Sequence, residues 1–237
     1  MTAAPPAFRA DLALFLDFDG TLAPLQDDPH TVALSDGMRA AVLAAATRLD
    51  GALAIVTGRD VRDLAARTPD ALWRAGAHGS EVIAPGETPR PNAETAALAA
   101  EAETAFAELD GVWVEPKGPV VAVHFRQAPQ REAEVLRELE TIAARHPDYI
   151  VQRGKMVVEA KPRGANKGAA VEAFMQRSPF AGRTPVMIGD DTTDEDGFRA
   201  AARLGGWAVK VGDGPSDARY RLADVEAVRD WLEGANA

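Results

Sequence analysis

The chain has 237 residues, 46% of them hydrophobic, which suits one large or two small domains with a real core. Its net charge of −10 removes the basic footprint of a nucleic-acid binder, and the absence of cysteine removes disulfide and thiol chemistry. No run reaches the length of a membrane span, and residues 1–19 lack a basic stretch followed by a long apolar one, so a cytoplasmic protein is expected, with no signal peptide and no membrane partner.

The first predicted element is the apolar run Leu12-Ala13-Leu14-Phe15-Leu16, which reads as a buried strand of a parallel sheet. It stops at Asp17, and Asp19-Gly20-Thr21 follows. The carboxyl ends of such strands are where open α/β folds place their ligands. Gly20 allows a sharp turn there. Two neighbouring carboxylates repel unless a cation or a shared proton relieves them, and a hard, oxygen-seeking ion such as Mg²⁺ does so most simply. Taken alone, Asp-x-Asp-Gly is equally a solvated turn. An EF-hand loop is excluded, because its sixth position needs glycine and holds Leu22 here.

Ser35 is placed to cap an alanine-rich helix that runs to Leu49 and closes at Gly51. Leu53 to Val56 is a second strand, ending in Thr57-Gly58-Arg59, and a helix is predicted from Asp60 to Arg67. Ala71 to Ala77 reads as a third strand, ending in His78-Gly79. Around Pro85, Gly86, Pro89 and Pro91 the pattern breaks as a linker would. Beyond it come a helix (Glu94 to Leu109), strands from Val112 to Glu115 and Val120 to Arg126, an amphipathic helix (Gln130 to Arg145), and a hairpin of Tyr149 to Arg153 with Met156 to Ala160. Strands joined by tight turns predict an antiparallel α+β insert, with Lys161-Pro162-Arg163-Gly164 as the return linker. The alternation then resumes. A helix opens at Lys167, and a strand from Thr184 to Ile188 ends in Gly189-Asp190-Asp191. A helix from Asp194 to Leu204, a strand from Trp207 to Val211 and a helix from Val225 to Glu233 complete it.

The expected architecture is therefore a doubly wound, mostly parallel α/β core of residues 1–86 and 162–237, interrupted by an α+β domain of residues 87–161. Asp17, Asp19, Thr57, Lys167 and Asp190-Asp191 all fall at strand ends or helix starts of that core. Of the acids between Asp190 and Asp196, the later ones suit the start of the next helix, so Asp190 and Asp191 are the metal candidates beside Asp17 and Asp19. Such a set contains a carboxylate nucleophile, a second carboxyl for acid–base work, and a hydroxyl and an ammonium for phosphoryl oxygens. Only five of the 26 basic residues are lysines, and four of these fall between Lys117 and Lys167, where point charges suit phosphate or sugar hydroxyls.

Asp17-Phe18-Asp19-Gly20-Thr21-Leu22, Thr57-Gly58-Arg59, Lys167 and Gly189-Asp190-Asp191 resemble the four motifs of the haloacid-dehalogenase-superfamily phosphatases. Longer stretches are similar to the trehalose-6-phosphate phosphatase branch, and they include Lys117-Gly118, His124-Phe125-Arg126-Gln127-Ala128-Pro129 and Val158-Glu159-Ala160-Lys161-Pro162. Pro116 departs from it, standing where some relatives carry an acid. The resemblance implies Asp17 as nucleophile and metal ligand, with Asp19 as acid–base whose carbonyl also meets the metal. It implies Thr57 and Lys167 on the transferring phosphoryl group, and Asp190, with Asp191 near it, as the remaining metal site. Gly20, Gly58, Arg59 and His78 complete the candidate substrate set of the core. The insert would be a cap contacting sugar through Lys117, His124, Arg126, Lys155 and Glu159. The implied reaction is Mg²⁺-dependent hydrolysis of trehalose 6-phosphate, by a monomer or weak homo-oligomer. Sucrose 6-phosphate or a glycosyl phosphoglycerate is the alternative substrate, and a non-catalytic sugar-phosphate sensor the alternative class.

Overall fold

The structure, a computed structural model, describes residues 3–26, 28–90, 93–154 and 156–234. Strand β1 (Leu12–Leu16) is fully buried, as a run without a polar face must be. Helix α1 (Asp36–Arg48) starts at Ser35, whose side chain accepts from the Met38 N–H. Strand β2 (Leu53–Val56), helix α2 (Val61–Arg67, capped by Asp60), β3 (Trp73–Gly76) and β4 (Glu81–Ile83) follow. The next elements are α3 (Ala93–Phe106), β5 (Trp113–Lys117), β6 (Val120–His124), α4 (Glu132–Ala143), β7 (Tyr149–Gly154) and β8 (Val157–Pro162). The last are α5 (Lys167–Phe174), β9 (Thr184–Gly189), α6 (Glu195–Arg203), β10 (Trp207–Val211), β11 (Tyr220–Leu222) and α7 (Val225–Glu233).

The chain divides into two compact units, residues 1–88 with 166–237, and residues 89–165. In the first, seven strands form one sheet in the order β11-β10-β9-β1-β2-β3-β4, parallel except for β4. From β1 the chain winds outward through β2 and β3, then returns to the other side of β1 at β9. The strand order therefore reverses beside β1, which is the position where open α/β sheets leave a crevice at the strands' carboxyl ends. Asp17 follows β1, and its N–H continues the pairing by donating to Ile188 O at 2.9 Å. β4 and β11 escape sequence reading because each is a three-residue strand with no apolar run.

Helix α5 is fixed by aromatic packing. Phe174 lies 5.8 Å from Phe15 of β1, 4.9 Å from Phe180 and 5.9 Å from Trp73, centroid to centroid. Phe174 closes the helix and Lys167 opens it, so these rings anchor the helix at the end opposite Lys167.

The second unit is a four-stranded antiparallel sheet, β5-β6-β8-β7, with α3 and α4 packed on one face through Leu98, Phe106, Val135 and Leu139 against Val121, Val123 and Val158. The expected return linker is partly strand, since Lys161 and Pro162 pair with Ile150 and Tyr149. Proline is tolerated there because it stands at the strand's last position, beyond the pairing with β6. No helix among the described residues is long and apolar enough to cross a membrane.

Candidate active site

The site begins with the turn after β1. The Leu22 and Ala23 N–H groups both donate to Phe18 O, and the Gly20 N–H donates to Ala23 O, closing a tight loop with Gly20 at φ +76°. Asp17 is buried at its base. Lys167 Nζ donates to Asp17 Oδ1 at 2.6 Å and to Asp194 Oδ1 at 2.6 Å, and both Lys167 and Asp194 are buried. Carboxylate oxygens of Asp17, Asp190 and Asp194 lie within 4.8 Å of one another. Residues as distant in sequence as 17, 167 and 190 are thus brought to one point.

Electrostatics follow from that crowding. Burial pushes the Asp17 carboxyl well above the usual range; Lys167 pulls it back and the charge of Asp194 pushes it further up. Asp190 is also raised, by burial first and by Asp194 second. Burial lowers Lys167, but Asp17 and Asp194 outweigh it and hold the ammonium above its ordinary value. Three carboxyl groups gather here, and the Lys167 ammonium meets one oxygen of Asp17 and one of Asp194, which leaves further carboxylate oxygens without a cation. Hard oxygen donors so close together are a fitting set for a divalent cation.

Asp191 stands beside the acid cluster. Its side chain caps the turn at Thr192–Asp194, accepting from the Thr192 N–H at 2.5 Å, and it is exposed rather than in the acid cluster. Asp194, expected to serve the next helix, is buried in the cluster instead. Its Oδ2 accepts the Asp191 N–H at 2.9 Å while its Oδ1 holds Lys167. The reciprocal capping of Asp191 and Asp194, three residues apart, was the available signal. Thr21 was also missed, and its hydroxyl donates to Asp190 Oδ1 at 3.2 Å.

Asp19 is held otherwise. Arg59 grips both its oxygens, with Nε to Oδ2 and Nη2 to Oδ1 each at 2.6 Å. The same guanidinium donates to Asp63 at 2.8 Å and to Pro29 O at 2.9 Å. These contacts raise Arg59 above its ordinary value, the Asp19 hydrogen bond most of all. Thr57 is buried just past β2, and its Oγ1 accepts the Arg59 N–H at 3.2 Å. His78, in left-handed backbone (φ +58°), donates its N–H to Thr57 O at 2.8 Å. Its ring stands 2.8 Å from where a Cβ of residue 58 would be, so Gly58 is the residue that fits beneath it.

The remaining candidates lie in the second unit. Strand register puts Lys117, His124 and Glu159 on the sheet face turned away from α3 and α4. His124 Nε2 is 2.7 Å from Glu115 Oε2, and its ring stacks on Trp113 with centroids 4.7 Å apart; neither partner was singled out from the sequence. Arg126 was expected on the same strand, but β6 ends at His124 and Arg126 is exposed in the turn that follows. Lys155 lies outside the described residues.

The trehalose-phosphatase family model matches residues 15–226. A protein of Escherichia coli K12 named trehalose-6-phosphate phosphatase is 42% identical over 233 residues, covering 96% of this chain and 88% of its own. One from Sinorhizobium fredii, named "Probable trehalose-phosphate phosphatase", is 44% identical over 225 residues, covering 92% and 84%. The solved structure of an Aspergillus fumigatus trehalose-6-phosphate phosphatase superposes with TM-score 0.70 over the whole of both chains at 24% identity, a likeness of fold. Matching motifs, a match over most of the length and a shared architecture lead to one statement: the chain belongs to the trehalose-phosphatase family.

Proposed function

We propose that this protein hydrolyses trehalose 6-phosphate to trehalose and inorganic phosphate through a phosphorylated Asp17. The observation that carries the reading is the buried Asp17 carboxylate, with Lys167 at 2.6 Å and two further acids within 4.8 Å. Asp17 attacks phosphorus with the oxygen that Lys167 does not hold, and the bond from phosphorus to the sugar oxygen breaks. Asp19 gives that oxygen its proton, and trehalose leaves. Asp19 then takes a proton from water as the water oxygen attacks phosphorus, the bond to Asp17 breaks, and phosphate departs. Lys167 and the Thr57 hydroxyl, which accepts from Arg59 and keeps its own proton to donate, meet the phosphoryl oxygens. Asp17, Asp190 and the Asp19 carbonyl would hold Mg²⁺, which when bound neutralises charge on the phosphoryl group.

Arg59 occupies both oxygens of Asp19, so Asp19 must leave that fork before it can protonate the sugar oxygen. Asp19→Asn is expected to slow trehalose 6-phosphate turnover by about 10²–10⁴-fold. With p-nitrophenyl phosphate, whose leaving group needs no proton, it should still release a first equivalent of nitrophenol and accumulate phosphoprotein. A rapid-quench burst experiment checks both parts.

Gly20 has a different role. A Cβ there would lie 2.2 Å from Asp190 Oδ2, at a φ that side chains avoid. Gly20→Ala is expected to displace the Asp190 carboxylate and lower activity about 10²-fold, as misplacement of order 1 Å does, with the circular dichroism spectrum unchanged.

Sugar recognition is assigned to the second unit, as the cap. Lys117, His124 and Glu159 on one sheet face, with the Glu115 partner of His124, supply donors and acceptors for hydroxyls; Arg126 and Lys155 join them by resemblance. The protein is placed in the cytoplasm. A phosphate-release assay on trehalose 6-phosphate, sucrose 6-phosphate and a glycosyl phosphoglycerate, with Mg²⁺ or EDTA, tests the whole reading. Trehalose 6-phosphate should be preferred, and EDTA should abolish the activity until Mg²⁺ is restored. Preference for another sugar phosphate overturns the substrate; tight binding without turnover overturns the enzyme.

A further inference from the structure

Lys210 lies at the end of β10, opposite Gly189 of β9. It is buried, and its ammonium donates to two backbone carbonyls, those of Asp190 and, at 2.8 Å, Val211. A buried ammonium is costly unless its donors are met, and these acceptors sit at the ends of two adjacent strands. The peptide that joins Asp190 to Asp191 is therefore held on both sides. Lys210 takes its carbonyl, and Asp194 Oδ2 takes its N–H at 2.9 Å. Because the peptide is planar, gripping both groups fixes the plane that follows the Asp190 Cα. That in turn sets where the Asp190 side chain starts. Its carboxylate ends against the Thr21 hydroxyl, in the cluster with Asp17 and Asp194.

We propose that Lys210 is a positioning residue that presets the Asp190 carboxylate for the divalent cation. This rests on the reading of Asp190 as a metal ligand. A neutral donor would reach one carbonyl; an ammonium, with three donors, spans both strand ends. Removing supports of this kind weakens metal binding without touching a ligand.

The test is calorimetric titration of Mg²⁺ into the substrate-free wild-type protein and the variants Lys210→Met and Lys210→Arg. Lys210→Met is expected to weaken Mg²⁺ binding by about 10–100-fold, Lys210→Arg to recover most of it, and KM for trehalose 6-phosphate at saturating Mg²⁺ to stay as in wild type. A lysine that merely ties two strands together would lower the melting temperature of the Mg²⁺-free protein and leave Mg²⁺ affinity unchanged, and that result overturns the proposal. If Lys210→Met does not fold, Lys210→Gln, which can reach only one of the two carbonyls, is titrated in the same way, and wild-type affinity in it overturns the proposal equally. The titration contains no substrate, so a wild-type protein that binds Mg²⁺ but does not hydrolyse trehalose 6-phosphate counts against the proposed reaction alone.

Discussion

Asp17→Asn is expected to remove turnover, by about 10⁴-fold or more, in a protein whose melting temperature is no lower than wild type. The first half follows from chemistry. An amide cannot form the acyl-phosphate; among the described residues Asp190 and Asp194 reach the same cluster, but Asp190 is held by the Thr21 hydroxyl and Asp194 is committed to Lys167 and the Asp191 N–H. The second half follows from charge. Burial raises the Asp17 carboxyl far above its ordinary range, so its ionised form at neutral pH costs the fold free energy. Asparagine removes that cost and a repulsion with Asp194, while Lys167 keeps its hydrogen bond to Asp194. A site selected for reaction is commonly less stable than its inert variant. Phosphate release, phosphoprotein labelling and a thermal melt on the same preparation check the pair. Appreciable activity in Asp17→Asn would remove the nucleophile; a large drop in melting temperature would show that Asp17 is mainly a structural anion.

Lys167→Met should do the opposite to stability. Lys167 is 2% exposed and joins two buried carboxylates, each at 2.6 Å. Without it Asp17 and Asp194 face each other unneutralised, and breaking a buried pair by removing one partner costs about 3–5 kcal/mol. Activity should fall by about 10²–10³-fold, because the phosphoryl oxygens lose a fixed positive charge. Adding Asp194→Asn should restore part of the stability, since it removes one stranded charge, and should not restore the activity. Denaturant unfolding of the two single variants and the double variant measures the coupling. A Lys167→Met protein as stable as wild type would mean that the carboxylates are already protonated or relieved by another group.

Much of this was legible in the sequence. Leu12–Leu16 has no polar face, so it had to be a strand buried on both sides, and a buried strand ending in Asp-x-Asp places acids at the sheet's carboxyl edge. The spacing of Thr57, Lys167 and Asp190 could then be read as strand ends and a helix start because apolar runs mark strands whatever their neighbours. The short edge strands β4 and β11 could not be read this way. Their pairing comes from the strand beside them rather than from their own composition.

The residue types and their order thus determined a parallel core with acids, a hydroxyl and a lysine at its edge. Tertiary structure alone decided which acid went where. Asp191 and Asp194 are the same side chain three residues apart, yet one caps a turn in solvent and the other is buried against Lys167. The capping spacing pairs the two acids locally, but what buries one and leaves the other in solvent is the backbone direction after β9 and the arrival of a helix from elsewhere in the chain. The grip of Arg59 on Asp19 and of Lys210 on the Asp190 carbonyl are of the same kind. Each is a contact between separate strand ends, and it exists only once the sheet has brought those ends together.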